Sequence, residues 1–148
     1  MSRIQDTSPA ALSNAVVRLF RQVNRAHNRA LRGYGLSAEQ VHILELLWID
    51  GAMSIGDLRR KLAVSSATIA GAIDRMEKAG LVRREPDPRD RRSVIVHAEP
   101  FDRRKRKRID GTLRETEAVL FDTLDASARG ALLETLTALS ETLDEDAG

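Results

Sequence analysis

Residues 81–96 read LVRREPDPRDRRSVIV, and the fold turns on this stretch. Two short apolar-containing runs, Leu81–Arg84 and Ser93–Val96, flank a segment rich in turn formers. Pro86 and Pro88 cannot donate to a β-ladder, and Asp87 and Asp90 favour turns, so the pattern predicts a β-hairpin with a long tip. That tip carries Arg89, Arg91 and Arg92. Guanidiniums at the end of a finger suit a narrow, negatively charged groove better than a protein core. Taken alone, the hairpin is equally an arginine-rich surface loop in solvent. Its position argues for more, because two helical segments spaced like a helix-turn-helix lie directly upstream. Together they predict a winged DNA-binding domain.

Upstream, Ser65 reads as the N-cap of a helix that buries Ile69, Ala72, Ile73 and Met76 and stops at Gly80. A brief turn at Ala63-Val64 separates it from a short helix capped by Ser54, with Asp57 at its third position and Leu58 and Leu62 inward. Ser37-Ala-Glu-Gln40 is a capping box, in which Ser37 caps and Gln40 reaches back. Its helix runs through Val41, Leu44, Leu47 and Trp48 to Gly51. The first segment, about Pro9 to Leu31, repeats apolar residues at three- and four-residue steps through Leu12, Val16, Leu19, Phe20 and Val23, the pattern of an amphipathic helix. Its other face is basic (Arg18, Arg21, Arg25, Arg29, Arg32), and Gly33 and Gly35 are expected to stop it.

Downstream of Pro100 the helical pattern returns, with Ile109, Leu113, Thr116, Leu120 and Leu124 on one face. A break is expected near Ser127, followed by a last helix carrying Leu132, Leu133, Leu136, Leu139 and Leu143. The fold class is therefore mainly α with a small β-hairpin wing. Residues 1–148 form a single domain, with a winged helix-turn-helix core at 36–100. Residues 8–34 and 101–145 supply flanking helices whose apolar stripes need a partner. Leu12, Val16, Leu19, Leu120, Leu132, Leu136, Leu139 and Leu143 are the expected interface of a two-fold homodimer; an intrachain bundle is the alternative.

Composition narrows the function. With no cysteine, disulfides, zinc-thiolate sites and thiol redox sensing are excluded. No run of 18 apolar residues suggests a membrane span, and no apolar segment near Met1 suggests a secretory signal, so a cytoplasmic location is the expectation. The three histidines lie far apart, glycines fall at helix ends rather than in a phosphate loop, and no cluster has metal-ligand spacing. We expect no enzyme activity, metal or cofactor. A net charge of +2 conceals an asymmetry: Arg83–Arg108 holds eleven Lys/Arg against five Asp/Glu, whereas Gly111–Gly148 holds two against nine. Positive charge packed into one segment is the footprint of polyanion binding. The six-cation run Arg103–Arg108 either adds phosphate contacts or is simply a solvated face.

In a helix-turn-helix the second helix enters the major groove and reads bases with its first residues. The expected double-stranded-DNA contacts are Ser54, Ser65, Ser66, Thr68, Ala70, Gly71 and Arg75, together with Arg89, Asp90, Arg91 and Arg92 of the wing. Short side chains let the helix sit deep, and Ser66 and Thr68 can hydrogen-bond bases or phosphates. Gly71 costs about 1 kcal/mol relative to alanine in mid-helix. It suits a close approach of backbone to DNA or to a neighbouring helix. The first turn lacks the Arg, Asn or Gln of a bidentate base contact, so shape and the wing are expected to carry much of the specificity.

The order of segments from Leu12 to Leu143 resembles the MarR (multiple antibiotic resistance regulator) family of winged-helix regulators. GLVRREPDPRDRRSVIV, Gly80 to Val96, is the most specific match, and LSAEQVHILELL, Leu36 to Leu47, is similar to the family's second-helix opening. The resemblance implies a dimeric repressor on a pseudo-palindromic operator, with Asp90 orienting Arg92 for the minor groove. It also implies release by a small aromatic or anionic ligand, for which the candidates are Arg18, Arg21, Arg25, His27, Tyr34, His42 and Trp48. The chain departs from the family pattern after its return strand, where Val96-His-Ala-Glu-Pro-Phe-Asp stands in place of Leu-Thr and a glycine-containing helix start. A winged-helix module that coats DNA without sequence preference, or binds protein without an effector, remains the competing reading.

Overall fold

The computed structural model describes residues 6–145. Helix α1 (Pro9–Leu31) is capped by Ser8, whose Oγ accepts the Ala11 N–H, and begins with Pro9, whose fixed φ suits a first turn. It passes into a 3₁₀ turn, Arg32–Tyr34, which ends at Gly35 with φ +69°. The stop is thus Gly35, and Gly33 lies within the turn. Helix α2 (Ala38–Asp50) starts on the expected capping box, with both the Ser37 and Gln40 hydrogen bonds formed. Strand β1 (Met53–Ser54), α3 (Ile55–Leu62) and α4 (Ser66–Lys78) follow. Strands β2 (Val82–Asp87) and β3 (Asp90–Ala98) form the wing, and α5 (Arg103–Phe121) and α6 (Ala126–Glu145) complete the described chain.

The three strands make one antiparallel sheet in the order β1-β3-β2. Sequence periodicity did not reveal β1, because two residues cannot display an alternation. The wing also differs from expectation. Its strands reach further, leaving only Pro88 and Arg89 at the turn in place of a long tip. Pro86 is accommodated because β2 is an edge strand. Pairing runs evenly from Val82↔Ala98 to Pro86↔Val94, then jumps to Asp87↔Asp90. One step on β2 matches four on β3, so Arg91, Arg92 and Ser93 fall in a bulge that turns their side chains out of the regular ladder.

Two apolar clusters hold these elements. One joins α2, α3, α4 and the sheet through Ile43, Leu44, Leu58, Ile69, Ile73 and Val96. The other joins the end of α1 and the start of α2 to α5 through Leu31, Leu36, Val41, Ile109 and Leu113. Leu81 and Phe101 pack against both, so the base of the wing and the start of α5 are seated on a shared floor. The six-cation run opens α5, with Asp102 as N-cap, accepting the Lys105 N–H at 2.7 Å. Arg106 lies 4.3 Å above the Trp48 ring and Lys105 5.4 Å above Phe101. These cation–π contacts place part of the basic run on the core surface. The break before α6 falls at Asp122–Asp125 rather than near Ser127, because Asp125 Oδ1 accepts the Ala128 N–H and caps α6 there.

Helix α6 contributes no residue to either cluster. Leu132, Leu133, Leu136, Leu139 and Leu143 along it are 39–69% exposed, as are Leu12, Val16 and Leu19 of α1 at 44–57%. Leu120 is half-buried. No helix of the described residues is long and apolar enough to cross a membrane.

Candidate nucleic-acid interface

Helix α4 presents a surface of small side chains. Ser65 Oγ accepts the Thr68 N–H at 3.1 Å and lies 2.8 Å from Thr68 Oγ1, so cap and first-turn threonine fix one another. Ser65, Ser66, Ala67, Thr68 and Ala70 are exposed, whereas Ile69, Ala72, Ile73 and Met76 are buried. The helix is anchored by one side and leaves its N-terminal half open on the other. Ser54, in contrast, is half-buried, with its Oγ accepting the Asp57 N–H as the cap of α3. A β-carbon at Gly71 would meet only the Arg75 guanidinium, at 3.2 Å. No neighbouring helix approaches it among the described residues, so helix packing does not explain this glycine. Arg75 lies back along α4 over that gap and ion-pairs with Glu39 of α2 at 3.3 Å. Sequence reading missed Glu39: it sits inside a capping box, and nothing local links it to a residue 36 positions away.

The wing separates its arginines into two classes. At the base, Arg84 pairs with Asp74 at 2.7 Å and Glu77 at 3.1 Å, and its N–H donates to Glu77 at 2.9 Å, locking β2 to α4. These hydrogen bonds hold the Glu77 carboxyl below its usual range. Arg83 pairs with Glu85 and Glu99. At the end of the finger, Arg89, Arg91 and Arg92 are exposed and make no ion pair among the described residues. Asp87 Oδ1 accepts the Arg89 N–H at 2.8 Å, and Asp90 Oδ1 accepts the Arg92 N–H at 2.9 Å. Asp90 therefore holds Arg92 through its backbone N–H.

The ligand candidates are dispersed within the chain. His27 is buried, its Nε2 3.7 Å from Glu117 of α5 with no hydrogen-bond partner among the described residues, and its ring meets His42 edge-on at 6.0 Å. Nearby Glu45 has its carboxyl pushed up by burial and by the neighbouring charges of Asp110 and Glu117. Tyr34 Oη lies 2.9 Å from Thr112 Oγ1, fastening the end of α1 to α5. Trp48 stacks on Phe101 beneath Arg106. Arg18, Arg21 and Arg25 line a shallow hollow of about 350 Å³ formed by α1 alone. Two sets of candidates are brought together: His27 with His42, and Arg18, Arg21 and Arg25 along α1.

Residues 36–94 match the MarR family model. YcgE of Bacillus subtilis (strain 168), an uncharacterized HTH-type transcriptional regulator, is 34% identical over 93 residues, covering 60% of each chain. BadR of Rhodopseudomonas palustris, a transcriptional activatory protein, is 41% identical over 85 residues, covering 53% of this chain and 49% of its own. The chain thus spans about half the length of the curated relatives it matches. A crystal structure of a mutant MarR from E. coli complexed with operator DNA superposes with a TM-score of 0.79 at 19% identity, covering 93% of this chain and 99% of that one. That likeness shows the fold. The family's domain thus matches the helix-turn-helix and wing, residues 36–94, and the fold of the solved structure extends through the flanking helices.

Proposed function

We propose that this protein is a sequence-specific DNA-binding transcriptional regulator that grips a pseudo-palindromic operator as a two-fold dimer. The observation that carries the reading is the contrast within the wing. Arg83 and Arg84 are neutralised at its base, whereas Arg89, Arg91 and Arg92 stand unpaired among the described residues at its end, and α4 keeps an open, small-residue face. Helix α4 would enter the major groove through Ser66, Thr68 and Ala70, and the wing would reach an adjacent minor groove, where guanidiniums meet enhanced negative potential. Exposed leucines on α1 and α6 support the dimer, since a second copy of the same apolar stripes would bury them. Repression is the direction we propose, with a small-molecule effector weakening the operator complex.

The test is fluorescence anisotropy at about 150 mM salt, comparing the intergenic DNA upstream of the protein's own gene with a scrambled duplex of equal length. Preference for the first by about a hundredfold or more would meet the expectation for a specific regulator. Equal, strongly salt-dependent binding to both would favour non-specific DNA coating instead. A reporter driven by the bound promoter then reads the direction of control, and a rise in transcription on expression of the protein would overturn repression.

A further inference from the structure

The six-cation run that opens α5 has no part in the interface built from α4 and the wing. Lys105 and Arg106 lie over Phe101 and Trp48, but Arg103, Arg104, Lys107 and Arg108 are exposed. Elsewhere in the fold Lys61, Arg75, Arg84 and Arg129 each hold a carboxylate, whereas these four hold none among the described residues. Asp102 uses its Oδ1 to cap the helix, and Asp110 borders the run without an ion pair to it among the described residues. Tyr34 Oη lies 2.9 Å from Thr112 Oγ1 and 3.4 Å from the Arg108 carbonyl, which sets the turn bearing the exposed Arg32 beside the same stretch.

This arrangement opposes the helix that carries it. Arg103 with Lys107, and Arg104 with Arg108, are like charges one turn apart, and they sit near the positive end of the helix dipole, where cations are unfavourable. No acidic residue offsets them in the first turn. A bound polyanion relieves both repulsions, and the make-up of the patch selects which one. Among the described residues it has no exposed large apolar or aromatic side chain. A protein partner would want an apolar anchor, and single-stranded nucleic acid a ring to stack on. Cations alone suit the phosphate backbone of a duplex. Residues four apart rise about 6 Å along a helix, close to the roughly 7 Å that two phosphates of one strand rise along a duplex.

We propose that Arg103, Arg104, Lys107 and Arg108 form a second, sequence-independent DNA contact, which holds backbone phosphates of the duplex flanking the site that α4 and the wing read. Leu81 and Phe101 seat the wing base and the start of α5 on one floor, and Arg83 of β2 pairs with Glu99 at 3.6 Å, so the patch is fixed relative to the wing. From Val82 to Asp87 the wing is about 17 Å long, well within one helical turn of DNA at about 34 Å. The flanking placement rests on the regulator reading above; the contact with duplex does not.

Fluorescence anisotropy over a salt series tests the patch, using the full chain, the scrambled duplex and the variant Arg103→Gln, Arg104→Gln, Lys107→Gln, Arg108→Gln. Each phosphate contact contributes roughly 0.9 to the slope of log affinity against log salt, so the slope is expected to fall by about two or more. Affinity should fall by about tenfold or more for the upstream and scrambled duplexes alike, leaving their ratio unchanged. An unchanged slope would overturn the proposal, as would a lost preference for the upstream duplex at constant slope. All four side chains are exposed, and circular dichroism checks the fold. Should the fourfold variant not fold, Arg104→Gln with Arg108→Gln carries the same test with about half the change in slope. In a second arm, lengthening the upstream duplex by about one helical turn on each side is expected to raise the affinity of the parent and not of the fourfold variant. An equal gain in both would overturn the flanking placement. Equal binding of upstream and scrambled duplexes by the parent would overturn the regulator reading, while the slope on the scrambled duplex still decides the patch.

Discussion

Arg92 leaves the bulge of β3 with its N–H held by Asp90 and its guanidinium unpaired among the described residues, which keeps that charge available for a partner. Arg92→Ala is expected to weaken operator binding by about tenfold or more, as for loss of a base or groove contact worth 1–3 kcal/mol. Sedimentation should show an unaltered species, and unchanged affinity would remove Arg92 from the interface. Thr68 combines two tasks, since its N–H completes the Ser65 cap and its side chain lies exposed on α4. Replacing it with alanine preserves the N–H, and the expected effect is an altered base preference within each half-site. Selection from random duplexes that returned the parent consensus would count against that role. At this scale the chain disclosed its caps and wing arginines, because both are local patterns. It did not disclose that Glu39 holds Arg75, or that Ser54 is half-buried.

Among the elements, the joint between α4 and β2 positions the wing against α4. Gly80 has φ +72°, and its N–H and that of Leu81 donate to the Glu77 and Met76 carbonyls, the double bond of a Schellman ending. Gly80→Ala forces a side chain into that left-handed conformation and is expected to cost about 1 kcal/mol, read from the urea midpoint. Glu77 adds a charged lock through Arg84. A carboxyl whose pKa is depressed by folding contributes stability above its ordinary value of 4.5, and this contribution is lost as pH falls through the depressed value. Glu77→Gln should therefore flatten the fall of the urea midpoint below pH 4.5; an unchanged slope would place the acid sensitivity elsewhere. The element types and their order were legible in apolar periodicity and caps. The length of the wing strands was not, because prolines argue against strand until an edge position is known, and β1 is too short to signal.

At the scale of the whole molecule, the unsatisfied feature is the apolar stripe along α6 and the first half of α1. Charged residues at both Leu136 and Leu139, for example Leu136→Lys with Leu139→Glu, are expected to leave the winged core folded and to reduce the sedimenting species to a monomer. The core should survive because neither residue belongs to its apolar clusters. Operator affinity should fall with it, since two half-sites about one helical turn apart need both recognition helices. A variant that sediments like the parent would reject this interface.

The amino-acid sequence by itself determined the winged helix-turn-helix class, because helix periodicity, capping residues and an arginine-bearing hairpin are all written within short windows. It also determined the charge asymmetry and the absence of thiol chemistry, which depend on composition alone. Only the tertiary structure decided which charges are spent and which are free. Arg84 differs from Arg89, Arg91 and Arg92 by the Asp74 and Glu77 carboxylates that α4 brings near it, and Arg83 pairs with Glu99 as well as with its neighbour Glu85. Those facts come from contacts between residues far apart in the chain, where periodicity carries no information and packing settles which groups meet.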